Sequence, residues 1–284
     1  MTLREIERRF ARAGLSYGHG TRNAREEAAW LVSRIRDEKR IEGLVQRRIR
    51  ERIPLAYLLH EAWLGEHDFY VDQRTVVPRS YIAELLRERL RPWLARKPRR
   101  ALDLCAGSGC LAVLLAFEFP GVRVDAADLS SAALEVAKIN IGKFRLGTRI
   151  RVIRSDLFAA LGSRKYDLIV SNPPYVRADS MRRLPPEYRH EPALGLAAGA
   201  DGLELVRRIL AHARRHLEPR GLLVCEIGGH RRALERAYPE IPFIWPETSE
   251  GPGCVFVLAR GQIPRSARIA GATRRRPRPA RAPQ

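Results

Sequence analysis

The sequence has 284 residues, room for one large domain or a domain with an appendage. Its apolar share of 45% is ordinary for a globular chain, and no run approaches the ~20 apolar residues of a membrane span, so no membrane partner is expected. The net charge of +20, carried by Arg with only five Lys, suits an RNA-rich setting such as a ribosome or an assembly intermediate, but does not separate protein from nucleic-acid substrates.

The stretch Met1-Thr2-Leu3-Arg4-Glu5 has no signal-like apolar region, and the four cysteines show neither paired metal spacing nor a disulfide framework. Both features read as a reducing cytoplasm. From Thr2 to about His60 apolar residues recur at helical spacing: Leu3, Ile6 and Phe10, then Ala28, Leu31, Val32 and Ile35, then Ile41, Leu44, Val45, Ile49 and Ile53. A glycine-punctuated loop, Leu15 to Thr21, separates the first two groups, and Thr21 or Asn23 is positioned to cap the second helix. The pattern predicts a small helical domain over 1–61.

The period then changes. Phe69 to Val77 reads as two short strands around an Asp72-Gln73-Arg74 turn, a hairpin. Pro78-Arg79-Ser80 opens a helix over Tyr81, Ile82, Leu85, Leu86 and Leu90, so 62–98 is predicted as a hairpin with a connecting helix. From there strands and helices alternate. Strands are predicted at Ala101–Leu104, Arg123–Ala127, Ile150–Ile153, Asp167–Ser171, Leu222–Ile227 and Val255–Leu258, with helices at Cys110–Glu118, Ser131–Phe144 and Leu203–His216. Shorter helices are predicted at Leu157–Ala160 and Arg231–Tyr238. This alternation predicts an α/β doubly wound parallel sheet over 99–260, its last strand antiparallel at an edge. Residues 261–284, with seven Arg and no acid, have little to bury and are expected to form a disordered basic tail.

Three strand ends carry chemistry. Asp103-Leu104-Cys105-Ala106-Gly107-Ser108-Gly109 closes the first strand and opens a helix, with glycines that let a ligand lie against backbone. Asp128 closes the second strand, where a carboxylate can accept from two ribose hydroxyls. The two together indicate an adenosine-containing ligand, and Gly107-x-Gly109-x-x-Ala112 also fits a dinucleotide fingerprint. Asp103 argues against a pyrophosphate by charge repulsion; it suits a ligand with a cationic amino group, such as S-adenosylmethionine. Ser155-Asp156-Leu157-Phe158 ends the third strand, with Asp156 placed for an adenine amino group and Leu157 or Phe158 for the ring faces.

The fourth strand ends in Ser171-Asn172-Pro173-Pro174-Tyr175. Proline cannot continue a strand ladder, so the two prolines stop the strand and stiffen the loop. The Asn172 side-chain oxygen and the Pro173 carbonyl then form a fixed pair of acceptors. Accepting both N–H bonds of a planar amide or aniline-type nitrogen would orient it toward a sulfonium methyl and stabilise the charge that develops there. Tyr175 is placed to stack on the planar group. His190 and Glu191 read as structural anchors more readily than as an acid–base pair, and Glu226 is ambiguous.

These stretches resemble the protein-(glutamine-N5) methyltransferases, which modify release factors and one ribosomal protein. Tyr17-Gly18-His19-Gly20-Thr21, Arg52 to Leu58, Phe69 to Asp72, Val77-Pro78-Arg79-Ser80 and Tyr188 to Pro192 look most like the branch acting on large-subunit ribosomal protein L-three. Ala106 stands where the family carries Thr, and 245–254 matches poorly. The resemblance implies a Rossmann-like class I methyltransferase with S-adenosyl-L-methionine as cofactor, a substrate-recognising helical domain, and a ribosomal protein substrate, free or in an assembly intermediate. Contact with rRNA would run through the basic surface and tail. The implied cofactor set is Asp103, Cys105, Ala106, Gly107, Gly109, Asp128, Leu129, Ser155, Asp156, Leu157 and Asn172; Asn172, Pro173, Pro174 and Tyr175 would hold the glutamine. Three readings compete with this one: a release-factor glutamine methyltransferase, an adenine-amine methyltransferase on DNA or RNA, and a noncatalytic ribosome-binding factor.

Overall fold

The computed structural model describes residues 1–265. The chain opens with α1 (Leu3–Arg12), α2 (Ala24–Arg34), α3 (Glu38–Arg50) and the short α4 (Leu55–Leu59). Thr2 and Glu5 form a capping box on α1, while Asn23, rather than Thr21, caps α2 by accepting from the Glu26 N–H. Ile6, Phe10, Leu31, Leu44 and Val45 meet in one buried cluster, as the helical spacing requires. Ile53 lies beyond α3, which ends where Arg52 takes a positive φ of 60°. Together with Tyr57, Val71 and Val77 it fills a second small core that joins these helices to the loop over the sheet.

The hairpin lies earlier than its apolar run suggests. β1 (Ala62–Leu64) pairs antiparallel with β2 (His67–Phe69), and residues 70–80 form no strand. The backbone of Tyr70 is held at both its N–H and its C=O by the Asn140 side chain, and the Val77 N–H goes to the Glu191 carboxylate. Those ladder groups are therefore satisfied by side chains. The expected turn survives, with the Thr75 N–H donating to the Asp72 carbonyl at 3.0 Å.

After α5 (Ile82–Arg87) come β3 (Arg100–Leu104), α6 (Cys110–Glu118), β4 (Arg123–Asp128), α7 (Ser131–Lys143) and β5 (Ile150–Arg154). Next follow β6 (Tyr166–Ser171), α8 (Ala178–Met181), α9 (Glu204–His216), β7 (Leu217–Glu226), α10 (Arg231–Ala237) and β8 (Val255–Ala259). The sheet order is β5-β4-β3-β6-β7-β8, parallel except for β8, which pairs antiparallel with β7 at the edge. Every residue of β6 is buried, as a central strand covered on both faces must be. The predicted helix at Leu157–Ala160 is instead a set of turns, because Leu157 adopts φ 48° and the Ser155 hydroxyl bonds the Leu157 carbonyl and the Ala160 N–H.

Among the described residues no helix is long and apolar enough to cross a membrane. The stretch expected to be disordered from residue 261 is ordered at its start. Arg260–Gln262 forms a 3-10 turn, and Ile263 is fully buried in the core beneath α9 and β7, with the Arg260 carbonyl accepting from Arg214. One apolar side chain in an otherwise polar run is enough to anchor it; residues 266–284 lie outside the described part. Ile263→Ala should lower the unfolding free energy by about 2–5 kcal/mol in urea denaturation. A change within experimental error would show that the segment is not packed.

Candidate active site

The strand order reverses at β3. The chain moves outward on one side through β4 and β5, then returns to pair β6 on the other. Ligands of doubly wound sheets bind in the crevice left at such a reversal, beyond the carboxyl ends of the strands. Here those ends carry Cys105–Gly109 and Ser171–Tyr175. Leu104 and Ser171 are register partners, and the Ser171 hydroxyl donates to the Leu104 carbonyl at 2.7 Å. A cavity of about 570 Å³ opens there, a size that suits a small-molecule ligand.

One wall is the turn after β3. Cys105 and Gly107 take positive φ values of 64° and 53°, and the Gly107 N–H donates to Asp128 Oδ2 at 2.8 Å. The other Asp128 oxygen accepts the Ser130 N–H at 2.8 Å. These bonds hold the carboxylate at the cavity wall, and its burial there raises its pKa. Cys105, Ala106, Gly107, Leu129, Ser155, Asp156 and Leu157 line the same cavity. A β-carbon on Gly107 would meet nothing within 4 Å, so the glycine leaves space that a ligand can occupy. Asp156 also pairs with Arg208 of α9 at 2.8 Å, and the Ser155 hydroxyl is committed to shaping the turn.

Two residues expected in this wall lie behind it. Asp103 is fully buried under the turn, where Oδ2 accepts the Ala112 N–H at 2.9 Å and Oδ1 has no hydrogen-bond partner. It does not line the cavity, so direct contact with a ligand ammonium is not what its position provides. Gly109, at φ 75°, begins α6, and a β-carbon there would stand 3.0 Å from that of Ala137. Its role is the close approach of α6 to α7. Sequence spacing could place both residues near a ligand but could not show which side of the turn they face.

The opposite wall is Asn172, Pro173, Pro174 and Tyr175. The Asn172 Nδ2 donates to the Arg79 carbonyl at 3.0 Å. A backbone carbonyl can only accept, so this contact assigns the amide and leaves Oδ1 as the atom available to accept. The Tyr175 ring lies against Gly228, where a β-carbon would come within 2.9 Å of it, and the Tyr175 carbonyl faces His230 Nε2 at 2.8 Å. Glu226 accepts from the Ser80 hydroxyl at 2.6 Å, from the Tyr81 N–H at 3.0 Å and from the Tyr175 hydroxyl at 3.5 Å. Burial pushes its carboxyl up to about 7.

Arg79, Ser80, Glu226 and His230 thus support the Asn-Pro-Pro-Tyr turn, and the only sequence signal for Arg79 and Ser80 was their place in a family-like stretch. His190 and Glu191 do not pair with each other. His190 bonds Glu51 and Gln73, whereas Glu191 turns inward to Arg79.

These features, an acidic group held at the ribose-facing strand end, an open glycine turn and a planar-group acceptor across the cavity, fit S-adenosyl-L-methionine. Residues 82–184 match the family described as methyltransferase small domain. The chain is 50% identical to the ribosomal protein uL3 glutamine methyltransferase of Neisseria meningitidis serogroup B, over 92% of this chain and 94% of that one. It is 47% identical to the protein of the same name from Bordetella pertussis, over 92% and 96%. Among solved structures, the hMettl16 catalytic domain in complex with an RNA hairpin shares the fold at a TM-score of 0.55 and 17% identity, covering 81% of this chain and 91% of that one.

Asp103 makes folding stability depend on pH. Burial pushes its carboxyl from 3.8 up to about 7, so across that interval the folded chain keeps a proton that the unfolded chain has lost. This group's contribution therefore weakens as pH rises through that range. Asp103→Asn keeps an oxygen for the Ala112 N–H and removes the titration. The difference in Tm between Asp103→Asn and the native protein should grow from pH 4 to about 7 and then level off. A difference independent of pH would mean that Asp103 is not buried as described.

Proposed function

This chain belongs to the ribosomal protein uL3 glutamine methyltransferases, and from that premise we propose that Asn172, Pro173 and Tyr175 present a uL3 glutamine side chain for methylation at its amide nitrogen. S-adenosyl-L-methionine, when bound, supplies an electrophilic methyl group on a sulfonium. The observation that carries the reading is the Asn172–Arg79 bond of 3.0 Å, which leaves Oδ1 available as an acceptor.

An amide nitrogen is a poor nucleophile because its lone pair is delocalised into the carbonyl. Asn172 Oδ1 and the Pro173 carbonyl accept its two N–H bonds, direct the nitrogen across the cavity and favour the positive charge that builds as the methyl is taken. Tyr175, backed by Gly228 and tethered to Glu226, packs on the planar amide. Asp128 would accept from the ribose hydroxyls and Asp156 from the adenine amine, with Leu157 beside the ring; Phe158, the other candidate for the ring, packs on His216 in the core instead. No side chain has to act as nucleophile, and the surplus proton leaves to solvent after transfer.

The helical region 1–61 docks the protein substrate in this reading. The net charge of +20 favours uL3 presented beside rRNA in a cytoplasmic assembly intermediate.

Asn172→Ala should retain the fold and most cofactor binding while kcat falls by roughly 10²-fold; turnover near the native rate would sink the assignment. Incubation with tritiated S-adenosyl-L-methionine and undermodified ribosomal particles should place label on protein uL3. Label on RNA would instead support the adenine-amine reading.

A further inference from the structure

Two stretches frame the site, Val77 to Ser80, which supplies the Arg79 carbonyl to Asn172, and Tyr188 to Pro192, which has no role in the reaction so far. The fold joins them through one carboxylate. The Glu191 side chain is fully buried, and it accepts from the Val77 N–H at 2.9 Å, from Arg79 Nη1 at 2.8 Å and from Arg79 Nη2 at 2.6 Å. The two guanidinium contacts form a fork, which fixes the plane of the Arg79 head group as well as its distance. The Arg79 guanidinium also lies over the Tyr188 ring, 5.4 Å from its centroid. One buried anion therefore clamps residues 77 and 79, with Pro78 between them restricting the backbone further.

The clamped segment ends at the Arg79 carbonyl, the acceptor for Asn172 Nδ2. An asparagine amide has oxygen and nitrogen of nearly equal size, so packing alone does not choose between its two orientations. In the wrong orientation it would present N–H to the substrate's N–H. The position of the Arg79 carbonyl excludes that state, and the Glu191 fork holds the carbonyl in position.

We propose that Glu191, acting through Arg79, is the positioning residue that orients Asn172 for the substrate amide. Glu191 does not line the cavity and touches no reacting group, so its effect passes through Asn172. This inference rests on the role given to Asn172 above.

The test is a double-mutant cycle with Glu191→Gln and Asn172→Ala, assayed for methyl transfer to undermodified particles. Thermal melting and equilibrium binding of S-adenosyl-L-methionine serve as controls for folding. In the native background Glu191→Gln should lower kcat by about 10-fold or more, with KM for the cofactor changed by less than about twofold. In the Asn172→Ala background it should cost less than about twofold further, because the orientation it protects no longer exists. Equal losses in both backgrounds, or no loss in either, would overturn the proposal. Should Asn172→Ala by itself turn over normally, the reading of Asn172 fails, and this inference falls with it. Arg79→Lys keeps one charge but not the fork; it should reproduce the pattern, and it carries the test if Glu191→Gln does not fold.

Discussion

The pairing of β3 with β6 is the constraint on which the molecule depends. These strands are adjacent in the sheet but separated in sequence by two complete strand–helix excursions, so their ends meet only if β4 and β5 lie to one side and β7 and β8 to the other. The Ser171 hydroxyl on the Leu104 carbonyl ties the two ends together at 2.7 Å. The glycine turn and the Asn-Pro-Pro-Tyr turn thereby become facing walls of one cavity. Without that adjacency Asp128 and Asn172 would be two unrelated polar residues at the ends of strands.

Carboxylates do much of the remaining organisation, and they do it by accepting from backbone N–H groups at the ends of elements and in loops. Asp128 takes Gly107 and Ser130, Glu226 takes Tyr81, Glu191 takes Val77, and Asp167 takes Arg99 and Arg100. Each bond, between 2.8 and 3.1 Å, is an intramolecular substitute for water at a place where an unpaired amide would be costly. Arg48 extends the same logic between regions. Fully enclosed, it bonds Glu27 of α2, the Ser16 carbonyl and Glu187 of the segment that follows the Asn-Pro-Pro-Tyr turn. The helical region and the substrate side of the cavity are thus joined through a network whose members are buried and mutually paired. Breaking such a network is costly because the charge left behind has no partner.

The loop from Tyr70 to Ser80 shows where local reading and tertiary structure part. Its β-branched, aromatic run has the composition of a strand, and propensity favours pairing it with itself. Asn140 and Glu191 take its backbone groups instead, and Glu226 takes the Ser80 hydroxyl and the Tyr81 N–H just beyond it, each acceptor at least 70 positions away along the chain. Local composition cannot anticipate an acceptor that arrives through the fold.

By itself the sequence determined the alternation of strands and helices, the antiparallel edge, the helical N-terminal region and which polar residues stand at each strand end. Those depend on apolar period and on proline and glycine, which act over a few residues. The tertiary structure alone decided three further points. Asp103 and Gly109 face away from the cavity, because the direction of a side chain at a tight turn depends on backbone angles that spacing does not specify. Ile263 belongs to the core, because burial depends on what a neighbouring element leaves open. And the Asn172 amide points one way, because its orientation is set by the Arg79 carbonyl, brought to it across 93 positions of sequence.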